Sequence, residues 1–283
     1  MKGSILCGID LGPSGERAAD VAAMLGRALD LGVCLVHAAT GTPALDPRTD
    51  PAMRPAAEAL AARLGARHDE AVRGLDAVRE RLVRAGARVP SARVVEGRPW
   101  EVVVREAESM AAKLAVVGPH ARPGTVRDRF LGSTADAVIR HAACPVVVAT
   151  GATPLVGLEG RAIVVGIDGD PPSLAALRAA LELAARAGAH VHAVCAANDS
   201  SIVVDALAAA RALEREVKGS ILWSAPVGPP AQVILDEADG CRAVLIALGT
   251  HGRKGIPRAV LGSVAEDVAR RATVPVLICR EPD

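Results

Sequence analysis

Residues 249–263, GTHGRKGIPRAVLGS, form a glycine-rich stretch that has a second copy at residues 118–133, GPHARPGTVRDRFLGS. Each stretch begins at the glycine that ends an apolar run, and each leads into a helical pattern and then a second apolar run that starts with proline. The interval from the last glycine to that proline is the same in both copies. A strand, a glycine-rich loop, a helix N-terminus and a further strand together can hold phosphate, and two copies indicate a duplicated domain.

The composition favours sheets covered by helices. The 283 residues are enough for two domains with a core each. The chain is 51% hydrophobic but only 1% aromatic, so the cores must be built from Ala, Val, Leu and Ile, which suits parallel sheets better than a β-sandwich. Few aromatic rings are available to stack nucleic-acid bases, and a net charge of +1 gives no general attraction to nucleic acid or acidic membranes. We therefore expect no nucleic-acid and no membrane partner.

The cysteines and the first apolar run indicate the compartment. Six cysteines are scattered without any Cys-x-x-Cys pair, mostly in or beside apolar runs. We interpret them as reduced, buried thiols rather than as disulfides or zinc ligands. No apolar run approaches the length of a membrane span, and Asp10 interrupts the first one, so we expect no signal peptide. The sequence predicts a cytoplasmic protein.

Strand and helix patterns alternate in the same order in both copies. We predict one domain at residues 1–150 and another at 161–283, joined by the linker 151–161. The first copy has in addition a proline-rich loop at 41–55 and a longer second helix at roughly 56–86. Such alternation requires a parallel sheet with right-handed crossovers. The predicted fold class is therefore α/β, with two repeated doubly wound domains, each a five-stranded parallel sheet in the order 3-2-1-4-5 with helices on both faces.

That strand order predicts where a ligand binds. The first and fourth strands are neighbours at the switch point, and ligands of such sheets lie beyond the carboxyl ends of the strands. In the second copy Asp168 ends the first strand and Gly249 ends the fourth. The sheet therefore places an acidic side chain beside the glycine-rich loop.

The loop of the second copy reads Gly249-x2-Gly252-x9-Gly262-Ser263. Glycines let the backbone N–H groups approach an anion, and the helix that follows favours phosphate through its free N–H groups and its dipole. Ser263 has a structural interpretation as well, because Ser263 with Glu266 matches a capping box, and Ser133 with Asp136 resembles one. The two interpretations are compatible.

This glycine pattern, between an apolar strand and a helix followed by a CPV-like strand, resembles the universal stress protein family. Residues 164–184, VVGIDGDPPSLAALRAALELA, are similar to the opening strand and helix of that family. The resemblance covers both copies and implies a tandem-domain member. It further implies a stress-response or regulatory protein that binds ATP, with or without Mg²⁺, and domains that pair through their last strands, PVVVA and PVLIC. An internal pseudo-dimer, a homodimer and an unidentified protein partner are the associations implied.

The resemblance also implies which residues contact the nucleotide. In the second copy Asp168 would bond the ribose and the backbone near Ala196 would face adenine. The residues around the ribose and the phosphates would be Gly249, His251, Gly252, Gly262, Ser263 and Val264. The matching positions of the first copy are Asp10, Ala38, Gly118, Gly132, Ser133 and Thr134.

The first copy departs from the family's pattern. Ala121 stands where the second glycine is expected, and one extra residue precedes Gly132. Pro119 and Pro123 stiffen this loop, although Gly124 can take over the turn. Alanine at a position with φ > 0 costs roughly 1 kcal/mol. We therefore predict two sites, of which the second is better formed.

The sequence lacks the motifs of several other nucleotide-binding and hydrolytic proteins. The chain has no Gly-x-Gly, no Gly-Lys, no Gly-x-Ser-x-Gly and no His-Glu-x-x-His, which excludes the standard dinucleotide, Walker A, serine hydrolase and zinc protease motifs. His37 and His192 lie at matching places in the predicted second strands and are interpreted as structural, with adenine contact as the alternative. We predict no catalytic or metal-binding residue and at most slow ATP hydrolysis. The alternatives are a nucleotidyl- or phosphoryl-transfer enzyme or ATPase that uses the same loop, and a pseudo-dimer scaffold that binds no nucleotide.

Overall fold

The computed structural model describes residues 3–39, 54–119, 131–152, 155, 157–196, 200–217, 220–250 and 261–281. The first half consists of β1 (Ser4–Gly8), α1 (Pro13–Leu29), β2 (Gly32–Ala39), α2 (Arg54–Arg84), β3 (Ser91–Glu96), α3 (Pro99–Ser109), β4 (Leu114–Val117), α4 (Ser133–His141) and β5 (Val146–Val148). The second half consists of β6 (Ala162–Gly166), α5 (Pro171–Ala187), β7 (His190–Val194), α6 (Ser200–Val217), β8 (Ile221–Ser224), α7 (Pro230–Gly240), β9 (Leu245–Gly249), α8 (Ser263–Arg271) and β10 (Val276–Cys279). Of the loop predicted at 41–55, residues 54–55 begin α2 and the others lie outside the described residues.

The ten strands form one sheet in the order β3-β2-β1-β4-β5-β10-β9-β6-β7-β8. Each half is a parallel sheet in the order 3-2-1-4-5, which confirms the predicted fold class. The last strands of the two halves pair antiparallel, with Val147 opposite Leu277. Because the halves meet in this way, the carboxyl edge of one half lies at the same end of the sheet as the amino edge of the other.

Helices cover both faces of the sheet because its strands are apolar on both sides. Ile5 and Cys7 of β1 belong to the core under α1, α2, α5 and α6, whereas Leu6 belongs to the core under α3, α4, α7 and α8. Alanines dominate the buried side of α1, so this helix packs closely against the strands. Among the described residues, no helix is long and apolar enough to cross a membrane.

Polar contacts reinforce the junction between the halves. The Thr150 hydroxyl donates to the carbonyl of Val274 (2.6 Å), and Nη1 of Arg280 donates to the carbonyl of Arg140 (2.6 Å). Directly after Thr150, Gly151 adopts a φ of +73° and passes close to the backbone of Thr273. The chain therefore leaves the first half through a tight turn that is packed against the second.

The cysteines are free thiols, four of them buried and two partly exposed: Cys7, Cys34, Cys195 and Cys279, then Cys144 and Cys241. Burial raises the pKa of Cys279 to about 12, and burial together with Asp20 and Asp10 raises the pKa of Cys7 as well. At pH 8 these thiols stay protonated and unreactive. We expect an alkylating reagent to modify Cys144 and Cys241 first and the four buried thiols only on unfolding, as followed by mass spectrometry. Rapid native modification of Cys7 or Cys279 would contradict the packing.

Candidate functional site

The carboxyl ends of the first and fourth strands meet in each half, as the strand order predicts. In the second half β6 pairs with β9, so Asp168, just after β6, and Gly249, the last residue of β9, lie at one edge of the sheet. In the first half β1 pairs with β4, which brings Asp10 and Gly118 to the equivalent edge. The structure therefore brings together the acidic residue and the start of the glycine-rich loop.

Each of these acidic residues also holds the turn that leads into the next helix. Oδ1 of Asp10 accepts hydrogen bonds from the N–H groups of Gly12 (2.9 Å) and Gly15 (2.7 Å). Oδ1 of Asp168 accepts one from the N–H of Asp170 (3.1 Å). A structural role for these carboxylates was missed from the sequence, although Asp before a Gly- or Pro-rich helix start is a recognisable turn signal.

The two hydrogen bonds to Asp10 predict a clear effect on stability. Replacing Asp10 with alanine leaves two N–H groups without their acceptor and is expected to lower the free energy of unfolding by about 1–2 kcal/mol. Asparagine keeps an oxygen acceptor and should retain most of that stability. Urea unfolding of both variants checks this, and equal losses in the two variants would contradict the role of Oδ1.

Gly249 and Gly118 lie at the ends of the fourth strands of their halves, and each packs closely against a helix, α5 for Gly249 and α1 for Gly118. A Cβ on Gly249 would lie 2.6 Å from the carbonyl carbon of Pro172, and one on Gly118 would lie 2.1 Å from the Ser14 hydroxyl. These glycines therefore let the glycine-rich loop leave the sheet directly beside the N-terminus of α5 or α1. Contact of either glycine with a nucleotide stays a prediction.

Hydrogen bonds join the two ends of each glycine-rich loop. The N–H of Gly262 donates to the carbonyl of Thr250 (2.6 Å), and the N–H of Gly132 donates to that of Pro119 (2.8 Å). The second loop has a further bond from the N–H of Thr250 to the carbonyl of Cys279 (2.9 Å). Pro119 holds the equivalent place in the first loop and has no N–H to donate.

Residues 120–130 and 251–260 of these loops lie outside the described part of the chain. They include the predicted contacts His251 and Gly252, together with Ala121, Pro123 and Gly124 of the first loop.

The helices after the loops begin at the predicted serines. Gly132 and Gly262 are the N-caps, Ser133 and Ser263 are the first helical residues, and neither helix has a side-chain cap. The predicted capping boxes are therefore wrong, because the serines lie inside the helix, and Asp136 pairs with Arg140 instead (2.7 Å). Both serines are exposed at a helix end whose first N–H groups have no partner within the helix.

The position implied for adenine lies at the carboxyl end of the second strand. Ala38 is within β2, and Ala196 follows β7 by two residues. Beside Ala38, Nδ1 of His37 donates to the carbonyl of Ile9 (2.7 Å), since a carbonyl can only accept. This bond supports the structural interpretation of His37.

The predicted correspondence of His37 with His192 is wrong. Strand register aligns Gly8 with Val36 and Gly166 with Val194, so His37 corresponds to Cys195. His192 lies three residues earlier, with Nε2 at 3.7 Å from Oε2 of Glu237.

The chemistry of the described site is that of anion and polyol binding. Uncapped helix N–H groups and serine hydroxyls suit phosphate, and a carboxylate oxygen beside them suits a ribose hydroxyl. Within the described ranges, no group of three or more His, Cys, Asp or Glu side chains could hold a metal ion.

Comparisons with known proteins show the family. The model of the universal stress protein family matches residues 1–150, 160–225 and 225–280. A universal stress protein of Mycobacterium tuberculosis is 30% identical over 188 residues, which are 61% of this chain and 63% of that protein, so the chain spans less than two thirds of this relative's length. A solved universal stress protein from Archaeoglobus fulgidus has a TM-score of 0.74 at 19% identity and covers 98% of each chain. A solved universal stress protein in complex with cAMP is 30% identical, covers 44% of this chain and 98% of its own, and has a TM-score of 0.39. By the extent of the family match, this chain belongs to the universal stress protein family.

Proposed function

We propose that this chain binds ATP, with or without Mg²⁺, at the carboxyl edge of each half and acts as a nucleotide-dependent regulatory protein of the stress response. The observation that carries the proposal is the convergence, in both halves, of three features at one edge of the sheet. These features are the carboxylate after the first strand, the closed base of the glycine-rich loop, and an uncapped helix N-terminus with an exposed serine. Membership of the universal stress protein family supports the same function.

Different residues would contact the phosphates, the ribose and the adenine. The N–H groups of Ser263 and Val264 and the Ser263 hydroxyl would hold phosphate oxygens, because the helix dipole and free donors favour negative charge there. Asp168 uses Oδ1 in its turn, and Oδ2 would accept a ribose hydroxyl. The backbone near Ala196 would face adenine, and Gly249, His251 and Gly252 would surround the ribose and phosphates. Mg²⁺, where present, would neutralise phosphate charge.

The first half would hold a second and weaker nucleotide through Asp10, Ala38, Gly118, Gly132, Ser133 and Thr134. The missing N–H of Pro119 supports this ranking, because the base of the first loop has one hydrogen bond fewer than that of the second. The cytoplasmic location, the association of two chains and an unidentified protein partner belong to the same proposal.

Thermal unfolding with and without ATP–Mg²⁺ tests the proposed function, with GTP–Mg²⁺ as the control. A ligand at about 100 times its dissociation constant stabilises the folded state by about 2.7 kcal/mol, so a shift of several degrees is expected with ATP. Equal shifts with GTP, or none with either nucleotide, would contradict the proposal. Release of ADP in the same samples at a steady catalytic rate would favour the ATPase alternative.

A further inference from the structure

A cavity of about 420 Å³ lies at the junction between the two halves, and none of the residues proposed to hold nucleotide lines it. Its wall combines α1 of the first half, the linker, and the segments before β9 and β10 of the second half. Apolar side chains, among them Met24, Leu155 and Val274, form much of the surface. Three parts of the chain thus meet around one space.

Three arginines line this cavity: Arg17 is half-buried, and Arg161 and Arg242 are exposed. Arg17, Arg161 and Arg242 form no ion pair with any described residue. The one carboxylate in the wall, Asp239, accepts a hydrogen bond from the Thr273 hydroxyl (3.3 Å). The cavity therefore carries an excess of positive charge.

Arg17 is half-buried, and its guanidinium is only partly paired among the described residues. Its Nη2 donates to the carbonyl of Thr150 (3.5 Å), whereas its Nε is buried without a hydrogen-bond partner in the described part of the chain. Burial lowers its pKa, and the charge of Asp20, which itself pairs with Arg81, opposes that shift. A buried N–H donor without an acceptor is costly, and an anion in the cavity would supply one.

The duplicated fold provides an internal comparison for these arginines. Arg17 follows Asp10 by seven residues, and Ala175 follows Asp168 by the same interval. Gly3, directly before β1, is the counterpart of Arg161, directly before β6. Ala111 and Arg242 follow α3 and α7 with left-handed φ values of 47° and 51°. None of the three arginines has a basic counterpart, so the positive cavity belongs to one side of the junction only.

A cavity on the other side of the junction is not positive. It has a volume of about 750 Å³ and is lined by Arg178 and Arg280 together with three glutamates, so acidic side chains outnumber basic ones. Arg178 forms two hydrogen bonds with Glu216 (2.8 and 3.0 Å), and Arg280 donates to the carbonyl of Arg140. The arginines without an ion-pair partner among the described residues therefore belong to the 420 Å³ cavity and are not repeated in the other one.

We propose that the positive cavity binds a small organic phosphate, with its phosphate on the three arginines and its apolar part against Met24, Leu155 and Val274. Guanidinium groups pair with phosphate oxygens through two parallel hydrogen bonds, which suits them to this ligand class. Because the wall includes both halves and the linker, the ligand stabilises the junction as well as occupying it.

Calorimetric titration of the full chain with phenyl phosphate tests this proposal at constant ionic strength, with inorganic phosphate and benzyl alcohol as separate probes. Phenyl phosphate is expected to bind saturably and more tightly than either probe. Arg17→Met, Arg161→Gln and Arg242→Asn are each expected to weaken it about tenfold or more, since each removes charged hydrogen bonds. Asparagine suits the left-handed backbone at position 242. Arg178→Met is the matched control and should bind as the unmodified chain does.

Three results would overturn the proposal. The first is no saturable binding of phenyl phosphate by the unmodified chain, and the second is an affinity in all three arginine variants that equals that of the unmodified chain. The third is binding that the arginine variants keep but that Ser133→Asp with Ser263→Asp loses, which would assign the phosphate to the helix N-termini. Arg17→Met should shift the midpoint of thermal unfolding without ligand by no more than a few degrees, because it removes one long hydrogen bond to Thr150 together with an unpartnered Nε and keeps the apolar stem.

Discussion

Replacing Gly151 with alanine is expected to lower the free energy of unfolding by about 3 kcal/mol or more. Gly151 has a φ of +73°, and a Cβ at this position would lie 1.8 Å from the carbonyl oxygen of Thr273 and 2.1 Å from its carbonyl carbon. Backbone on both sides would have to move. The neighbouring bond from Thr150 to Val274 and the pairing of β5 with β10 would be disturbed with it.

Urea unfolding measures this effect, and two other glycines separate its causes. Gly86 has a φ of +81° with no atom near its Cβ position, so alanine there costs only the backbone strain of about 1 kcal/mol. Gly157 has open space and no left-handed φ, so alanine there should change little. If Gly151→Ala cost no more than Gly86→Ala, the close packing of the junction would be wrong.

Replacing Ser263 with aspartate is expected to weaken ATP binding at the second half at least about 100-fold. The new carboxylate would stand at the first residue of α8, where we propose that phosphate binds, and like charges would repel. The same carboxylate interacts favourably with the helix dipole and should leave stability unchanged or raise it by about 0.3–1 kcal/mol. A loss of affinity without a loss of stability therefore distinguishes a blocked site from a misfolded protein.

Calorimetric titration with ATP–Mg²⁺ checks this prediction against two controls. Ser263→Ala removes only the hydroxyl and should reduce affinity far less. Ser133→Asp places the same charge at α4 and should affect only the weaker site of the first half. Unchanged ATP affinity in Ser263→Asp would show that the nucleotide does not use the N-terminus of α8.

The element order and strand order could be predicted because local patterns determine them. Residues 230–240, with apolar side chains at helical spacing, form α7, and the continuous apolar run that begins at Ala162 forms β6. The antiparallel pairing of β5 with β10 agrees with the expected pairing of the last strands. β5 and β10 are apolar strands at the edges of their halves, and their pairing shields both edges from solvent.

Features that depend on one residue of register, or on long-range contacts, could not be predicted. Ser263 and Glu266 have the spacing of a capping box, but the helix begins at the serine and Gly262 is the cap, a difference of one residue that sequence patterns do not resolve. The packing of Gly249 against Pro172 depends on how α5 approaches β9. The positive cavity includes Arg17 and Arg242, which are distant in sequence and line the same space only because the two halves pack together.

A crystal structure of the full chain with ATP–Mg²⁺ would locate the nucleotide site. We expect nucleotide density at the carboxyl edge of the second half, with phosphate oxygens on the N–H groups of Ser263 and Val264, the ribose at Asp168 and adenine near Ala196. The first half should show the same arrangement at lower occupancy. Nucleotide bound elsewhere, or an empty carboxyl edge in both halves at saturating ATP, would show that the glycine-rich loops and helix N-termini do not form the nucleotide site.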